Sequence, residues 1–568
     1  MPQNKWSRLL IIFCLLALII PSHVIGIDKF ITYDEPWWII SGSNYYYALT
    51  HKDFASTMYD YHPAVTTTWM VTAGMLSYFP EYRGFGQGYF DVRKPHFEAF
   101  MRDHGKEVIG LVRNSRLIQI ALIIVLAILS FYLLQLLIDW RAAFLAIVLA
   151  MNAPFFLGIS RLLNHEGMLS MFMLVSLLGM QVYLNKDRRL IYLLISGAAF
   201  GLAQLTKSSS VVLFPLVGLM SLISILGRAE ESFAARIWFA IKSLTIWLLM
   251  AAFVFVALWP GMWVAPGKML SEIYGNAFSY AFQGARLEVT DGLEPSTFAL
   301  SDATLGVQQF SITWLLFSTV ITWIGLAFAA LLLVSRDKTL LPPPVKSSAS
   351  YLVLLAALVI TMFGVAQGRN ASYYIMTSFV TLDVAAGIGW GCFFLWLQNR
   401  SPVFQRFSLQ ATFILLVAAV QIGIGLPYYP YYITYRNPVI SPPAAFAYGV
   451  GLDQAAAYLA EKPDAENTVV YAYVGMGTFS YFYPGETLVF KRVHLVNGDF
   501  ETVIAEMHTT DYLVVYSAAQ NAQTESQEFL AALENVQPEK VILINGVEYA
   551  RIYKISDIPE SAYLKMTR

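Results

Sequence analysis

Apolar residues run along most of this chain in blocks of about twenty, separated by short polar turns. Blocks of that length predict helices that cross a bilayer core of about 30 Å. Eleven such runs start near Leu9, Leu117, Ala142, Gly167, Leu190, Ser210, Ser243, Ile312, Tyr351, Tyr373 and Ala411. Lys5 and Arg8 precede the first run like the n-region of a signal sequence. The stretch Pro21-Ser22-His23-Val24-Ile25-Gly26 offers no small-x-small cleavage pattern, so a retained anchor is expected. Two long stretches, 28–112 and 260–310, break the series. Within the first, the short apolar segment Val65–Phe79 after His62-Pro63 predicts an amphipathic helix lying in the membrane interface.

From about Pro438 the pattern changes. Helix-like segments at Leu452–Lys462, Phe500–Met507 and Glu525–Leu533 are interleaved with strand-like runs. The strand candidates are Thr468–Val474, Thr487–Phe490, Asp511–Tyr516, Lys540–Ile544 and Tyr549–Ile555. Such alternation predicts a small α/β domain, and no GxGxxG or P-loop marks it as nucleotide-binding. The expected fold is therefore a polytopic α-helical membrane protein. Residues 1–437 would form about eleven transmembrane helices with long loops at 28–112 and 260–310, and residues 438–568 an extracytoplasmic α/β domain.

Composition agrees with the pattern. Hydrophobic residues make up 57% of the 568 and charged residues 13%, against roughly 45–50% and about 25% in a soluble domain. A formal net charge of −1 carries no nucleic-acid footprint. The two cysteines, Cys14 and Cys392, both lie in apolar runs, which excludes a disulfide framework or a zinc knuckle. Basic residues then orient the chain. With a cytoplasmic N-terminus, Lys5, Arg8, Arg141, Lys186, Arg188, Arg189, Arg228, Arg236, Lys242, Arg336, Lys338, Lys346, Arg400 and Arg406 all fall inside. The C-terminus falls outside, in a multi-pass protein of the cell membrane.

A few ionisable residues do not fit that role, and such groups at a membrane boundary are functional candidates. Asp34 and Glu35 follow the first span beside Trp37-Trp38, where they serve as a base, a metal ligand or a helix cap. His62 lies further along the same loop; by itself it reads as an interfacial histidine capping a helix. The outer segment Ser160–Gly167 holds Arg161, His165 and Glu166, of which Glu166 alone would read as a cap for the fourth span. Lys207 and Arg369 each stand in a tight outer turn, and Arg116 at the outer mouth of the second span. Any one cation reads as snorkelling to headgroups. Four at one face, opposed by carboxylates, suit the phosphate of a lipid carrier whose tail lies between helices. The carboxylates would repel that phosphate, so their use falls on a second substrate, an acceptor.

At these residues the chain resembles the GT-C glycosyltransferases, most nearly the dolichyl-phosphate-mannose protein mannosyltransferases and the related aminoarabinose transferases of lipid A. The resemblance rests on an ordered set of short motifs. These are Tyr33-Asp34-Glu35-Pro36, His62-Pro63-Ala64, Ser160-Arg161 through Glu166 and Leu169, Gly201-Leu202-Ala203-Gln204-Leu205-Thr206-Lys207, Trp259-Pro260-Gly261-Met262-Trp263-Val264 and Leu452-Asp453-Gln454-Ala455-Ala456. Two departures stand out: Ala64 replaces the second proline of a His-Pro-Pro motif, and Arg369 is followed by Asn370-Ala371-Ser372 where relatives often read Arg-Tyr.

The resemblance implies inverting transfer of a sugar from a polyprenyl-phosphate carrier to an acceptor hydroxyl on protein, lipid or glycan. Asp34 would be the general base and Glu35 would position the acceptor or assist a metal. Arg116, Arg161, Lys207 and Arg369 would face the carrier phosphate, with His62, His165 and Glu166 lining the same cavity. A divalent cation near Asp34, Glu35 or Glu166 stays open. The rival reading is a transporter or flippase for a lipid-linked substrate, which is expected to carry mid-span charges and inverted repeats instead.

Overall fold

The computed structural model describes residues 4–59, 62–84, 96–226, 232–284, 300–334, 343–366, 370–473, 475–490, 494, 498–518 and 529–566. Eight of its helices are long and apolar enough to cross a membrane, or up to ten if each of two bent pairs counts as one span. Every apolar run expected from the sequence is helical. The expected total of eleven is not reached by length and composition, because Leu190–Thr206 has only 17 residues. The helices form a polytopic bundle whose exposed side chains are themselves large and apolar. Trp238, Leu249 and Phe253 on the helix Phe233–Ala257 illustrate this, an outward face that suits lipid rather than water.

Contacts divide the chain into two compact units. One comprises Met1–Ile25, Gly42–Ala73 and Ser115–Ser441; the other comprises Gly26–Ser41, Gly74–Asn114 and Pro442–Arg568.

In the first unit, small residues bring helix backbones together, as expected where lipid offers no hydrophobic drive between helices. A Cβ placed on Gly387 would lie 2.2 Å from Ala146 Cα, and one on Gly389 would lie 2.0 Å from the Gly325 carbonyl oxygen. The two bends have local causes. Trp140–Met151 and Pro154–Ser160 meet at 64°, with Pro154 opening the second helix, where its missing N–H costs no helical bond. Ser301–Phe317 and Val320–Leu331 meet at 115°. There Thr319 Oγ1 accepts from Thr322 N, and the Thr319 hydroxyl donates to Gln421 Oε1.

The segment expected to lie in the interface is a helix, Val65–Tyr78, but the threonines that make its first half polar do not face water. Thr66, Thr67, Thr68 and Thr72 are all buried. Thr66 meets Thr206 at 2.9 Å between hydroxyl oxygens, and Ala64 N donates to the Thr206 carbonyl. For Thr66 a tertiary hydroxyl partner replaces the water that an amphipathic helix would keep, while the Thr68 hydroxyl donates to the Val65 carbonyl of its own helix.

The second unit contains a five-stranded sheet with order β2-β1-β3-β5-β4. Its strands are β1 Val469–Tyr473, β2 Glu486–Phe490, β3 Tyr512–Val515, β4 Lys540–Ile544 and β5 Val547–Lys554. β1 runs parallel to β2 and β3, while β5 is antiparallel to β3 and β4. Asn545 and Gly546 join β4 to β5 with φ of 50° and 77°, as a two-residue hairpin turn requires. The helix Phe500–His508 is capped by Asp499, whose carboxylate accepts from Thr502 N, and the Tyr471 hydroxyl on β1 reaches its Glu506 at 2.6 Å. Of the expected helix Glu525–Leu533, residues 525–528 lie outside the described residues, and 529–532 are helical.

Candidate functional site

The candidate residues fall into two clusters, one in each unit. In the helical unit the helix His165–Asn185 begins at Asn164, whose side chain accepts from Glu166 N at 2.7 Å. Asn164, not Glu166, is thus the cap, and the Glu166 carboxylate is directed elsewhere: its Oε1 pairs with Lys207 Nζ. Both side chains are buried. Lys207 ends the helix Leu190–Thr206 in an extended conformation, so its side chain leaves the helix axis toward Glu166. Its ammonium stands 4.1 Å from the centre of the Tyr374 ring and 5.5 Å from that of Phe363, within range for cation–π attraction. His165 Nε2 lies 3.5 Å from the same Glu166 oxygen, and the rings of His62 and His165 are 5.4 Å apart.

Next to this cluster is a cavity of about 300 Å³. Lys207, His62, Ser208 and Ser209 are among its charged and polar lining, and Phe278, Phe282, Met362 and Phe363 are among its apolar walls. Phe278 and Phe282, from the helix Pro266–Gln283, remain 65% and 56% exposed, so its apolar wall continues onto the outer surface of the bundle. Tyr274 closes one side by donating to Gln204 Oε1 at 2.9 Å.

The other cations have different surroundings. Arg161 donates to the carbonyl of Ile25, just beyond the first helix, and lies 5.1 Å over the Tyr432 ring. Arg116 is fully enclosed on the helix Val108–Leu137. Arg369 lies outside the described residues.

In the second unit, the Glu35 carboxylate folds back onto Thr32 at the start of the helix Glu35–Thr50. Glu35 Oε2 accepts from Thr32 N at 2.9 Å and from the Thr32 hydroxyl at 3.1 Å, and its side chain is wholly buried. Asp34, between them, is oriented differently. Its Oδ2 accepts a 2.6 Å hydrogen bond from the Tyr448 hydroxyl, and Tyr448 packs edge-on against Tyr33 at 4.8 Å. Nearby, Ser480 donates to Glu98 Oε1 at 2.6 Å. Loss of water contact pushes the Glu98 carboxyl above its ordinary range, against the opposing pull of Ser480 and Arg102.

Among the described residues no three His, Cys, Asp or Glu side chains converge on one point. Glu35 is engaged by Thr32, and Glu166, in the other unit, is engaged by Lys207.

Tyr448, Tyr374 and Tyr432 carry no sequence signal of their roles, because each meets its partner only through tertiary folding. A helix start at Asp34 and Glu35 was among the sequence readings, and the helix begins at Glu35.

Fold and clusters together define a polytopic helical membrane protein with a buried acid–cation pair beside an apolar cavity. Its resemblance to GT-C glycosyltransferases extends beyond the short motifs. Residues 111–263 match the family described as dolichyl-phosphate-mannose-protein mannosyltransferase, a span that includes Arg116, Arg161, His165, Glu166 and Lys207. No curated protein sequence matches the chain. Among solved structures it is similar to the Saccharomyces cerevisiae protein O-mannosyltransferase Pmt1-Pmt2 complex bound to the sugar donor. That match has 17% identity and a TM-score of 0.35, and covers 45% of this chain and 34% of that one. It is also similar to ArnT from Cupriavidus metallidurans bound to undecaprenyl phosphate, at 12% identity and TM-score 0.45, over 99% of both chains. A third likeness is to the Archaeoglobus fulgidus oligosaccharyltransferase in the apo form, at 13% identity and TM-score 0.42, covering 93% of this chain and 71% of that one. At these scores no residue role is carried across.

Proposed function

We propose that this chain is a membrane glycosyltransferase that moves a sugar from a polyprenyl-phosphate carrier to an acceptor hydroxyl on the outer face of the cell membrane. The observation that carries the reading is the cavity beside Lys207. Its apolar wall, open along the bundle surface, suits a polyprenyl tail, and the ammonium suits a phosphate at the tail's end. The match of residues 111–263 to the mannosyltransferase family supports the same chemistry.

Asp34 is the general base on the acceptor. As its carboxylate takes the hydroxyl proton, the acceptor oxygen bonds to the anomeric carbon. The bond from that carbon to the phosphate oxygen breaks, its electron pair leaves with the polyprenyl phosphate, and attack opposite the leaving group inverts the anomeric centre. Lys207 offsets the charge developing on the phosphate, for which its attraction to Glu166 must slacken. Arg116 and Arg369 are further candidates for the carrier phosphate. Arg161 holds the chain just beyond the first helix, and Glu35 fixes the helix start that bears Asp34. The acceptor is a protein, a lipid or a glycan.

The test is mass spectrometry of glycoconjugates from cells with the chain, without it, and with Asp34→Asn. One glycoconjugate is expected to vanish in the last two. Its persistence in the Asp34→Asn cells at equal protein level would reject the assignment of the base.

A further inference from the structure

The strand order of the small domain has a consequence for Asp34. Chain leaving β1 turns to one side to form β2, then crosses back to form β3 on the other side of β1. In open α/β sheets such a reversal opens a crevice at the carboxyl ends of the strands, where ligands ordinarily bind. Here the crevice is filled by the chain itself. A Cβ on Gly477, just beyond β1, would lie 2.3 Å from Pro36 Cγ. One on Gly449 would lie 2.7 Å from the Ile31 carbonyl oxygen. Gly449 N donates to the hydroxyl of Tyr516, the residue after β3, at 3.1 Å. Glycine at both places lets backbone and first-loop segment approach this closely, and both have positive φ, 75° at Gly477 and 88° at Gly449.

We propose that Tyr448 is a positioning residue for Asp34, and that the C-terminal domain serves the transfer reaction by holding that carboxylate. The inference rests on the reading of Asp34 as the base. Tyr448 is buried, its ring fixed against Tyr33 and its backbone continuing into Gly449. Its hydroxyl binds Asp34 Oδ2 at 2.6 Å. A carboxylate on a single-bonded stem rotates freely unless an oxygen is held. Fixing Oδ2 sets the carboxylate plane and so the direction from which a proton is taken. Misdirection of a reacting group by a fraction of an ångström is enough to slow a reaction strongly. Glu35 and Thr32 brace the same segment through their hydrogen bonds to each other.

Tyr448→Phe keeps the ring and its packing and removes only the donor. In cells carrying this variant at equal protein level, the glycoconjugate defined by Asp34→Asn is expected to accumulate about tenfold more slowly, in line with the loss of one hydrogen bond to a charged group. The thermal midpoint of the purified chain, and its affinity for polyprenyl phosphate in detergent micelles, are expected to equal wild type. An unchanged rate overturns the proposal. So does a slower rate that tracks a lowered midpoint or lost carrier binding, because Tyr448 then acts on folding. If Asp34→Asn leaves the product in place, the assignment of the base has failed instead, and the two failures are told apart in one experiment.

Discussion

Lys207, at the end of one helix, is ion-paired with Glu166, in the first turn of another, and both side chains are closed off from solvent. Two buried charges of this kind depend on each other, since either one left alone in a low dielectric is strongly unfavourable. On the proposed reading, a carrier phosphate would not meet a bare cation. It would meet one already shared with a carboxylate and two aromatic rings.

Removing one partner is therefore expected to cost stability as well as binding. Lys207→Ala should lower folding stability by about 3–5 kcal/mol, the usual penalty for stranding a buried charge. The double variant Lys207→Met with Glu166→Gln should recover most of it. Thermal unfolding in detergent checks both. Polyprenyl-phosphate affinity should stay low in the double variant although its fold is restored, which separates carrier binding from stability.

Loss of the Thr32–Glu35 hydrogen bonds should weaken the helix that follows Asp34. Thr32→Ala and Glu35→Ala are each expected to destabilise the second unit by about 1–2 kcal/mol, as the loss of a hydrogen bond to a charged group does. Glu35→Gln, which keeps an acceptor oxygen for Thr32 N, should be milder than Glu35→Ala. An unchanged thermal midpoint in Glu35→Ala would show that these bonds contribute nothing to stability.

The pH dependence of stability should carry a signature of Glu98. Loss of water contact raises its carboxyl in the folded state, so the folded chain holds the proton more tightly than the unfolded chain does. Its contribution is therefore fully present below the unfolded value of about 4.3 and is lost as pH rises through the higher folded value. Glu98→Gln removes that loss. The midpoint of the variant relative to wild type should rise between pH 4 and pH 7, and a pH-independent difference would contradict the assignment.

Orientation is open to a direct measurement. From the basic residues of the sequence the C-terminus is expected outside. A reporter fused after Arg568 should respond as extracytoplasmic, and one placed between Lys186 and Arg189 as cytoplasmic. The reverse pattern would overturn the orientation on which the outer-face reaction depends.

Much of the architecture was written in local pattern. Apolar runs long enough to span lipid became helices, and all five strand-like runs of the tail became strands within a residue or two. Both depend on neighbours in sequence, whose periodicity and turn chemistry act locally. The helix Val65–Tyr78 shows where that stops: its length could be read, but not the burial of its threonines, because Thr206 lies 140 residues away from Thr66.

Asp34, Glu35, Glu166 and Lys207 could be picked from the sequence as charges out of place. What each one touches could not. Tyr448 reaches Asp34 across 414 residues and Lys207 reaches Glu166 across 41. Such pairs arise only when packing brings distant helices, or a distant domain, to the same point. Local sequence thus determined which residues were too costly to place at a membrane boundary without a use. The tertiary structure decided which partner offsets that cost, because a buried charge is stabilised by its spatial neighbours, wherever in the chain they arise.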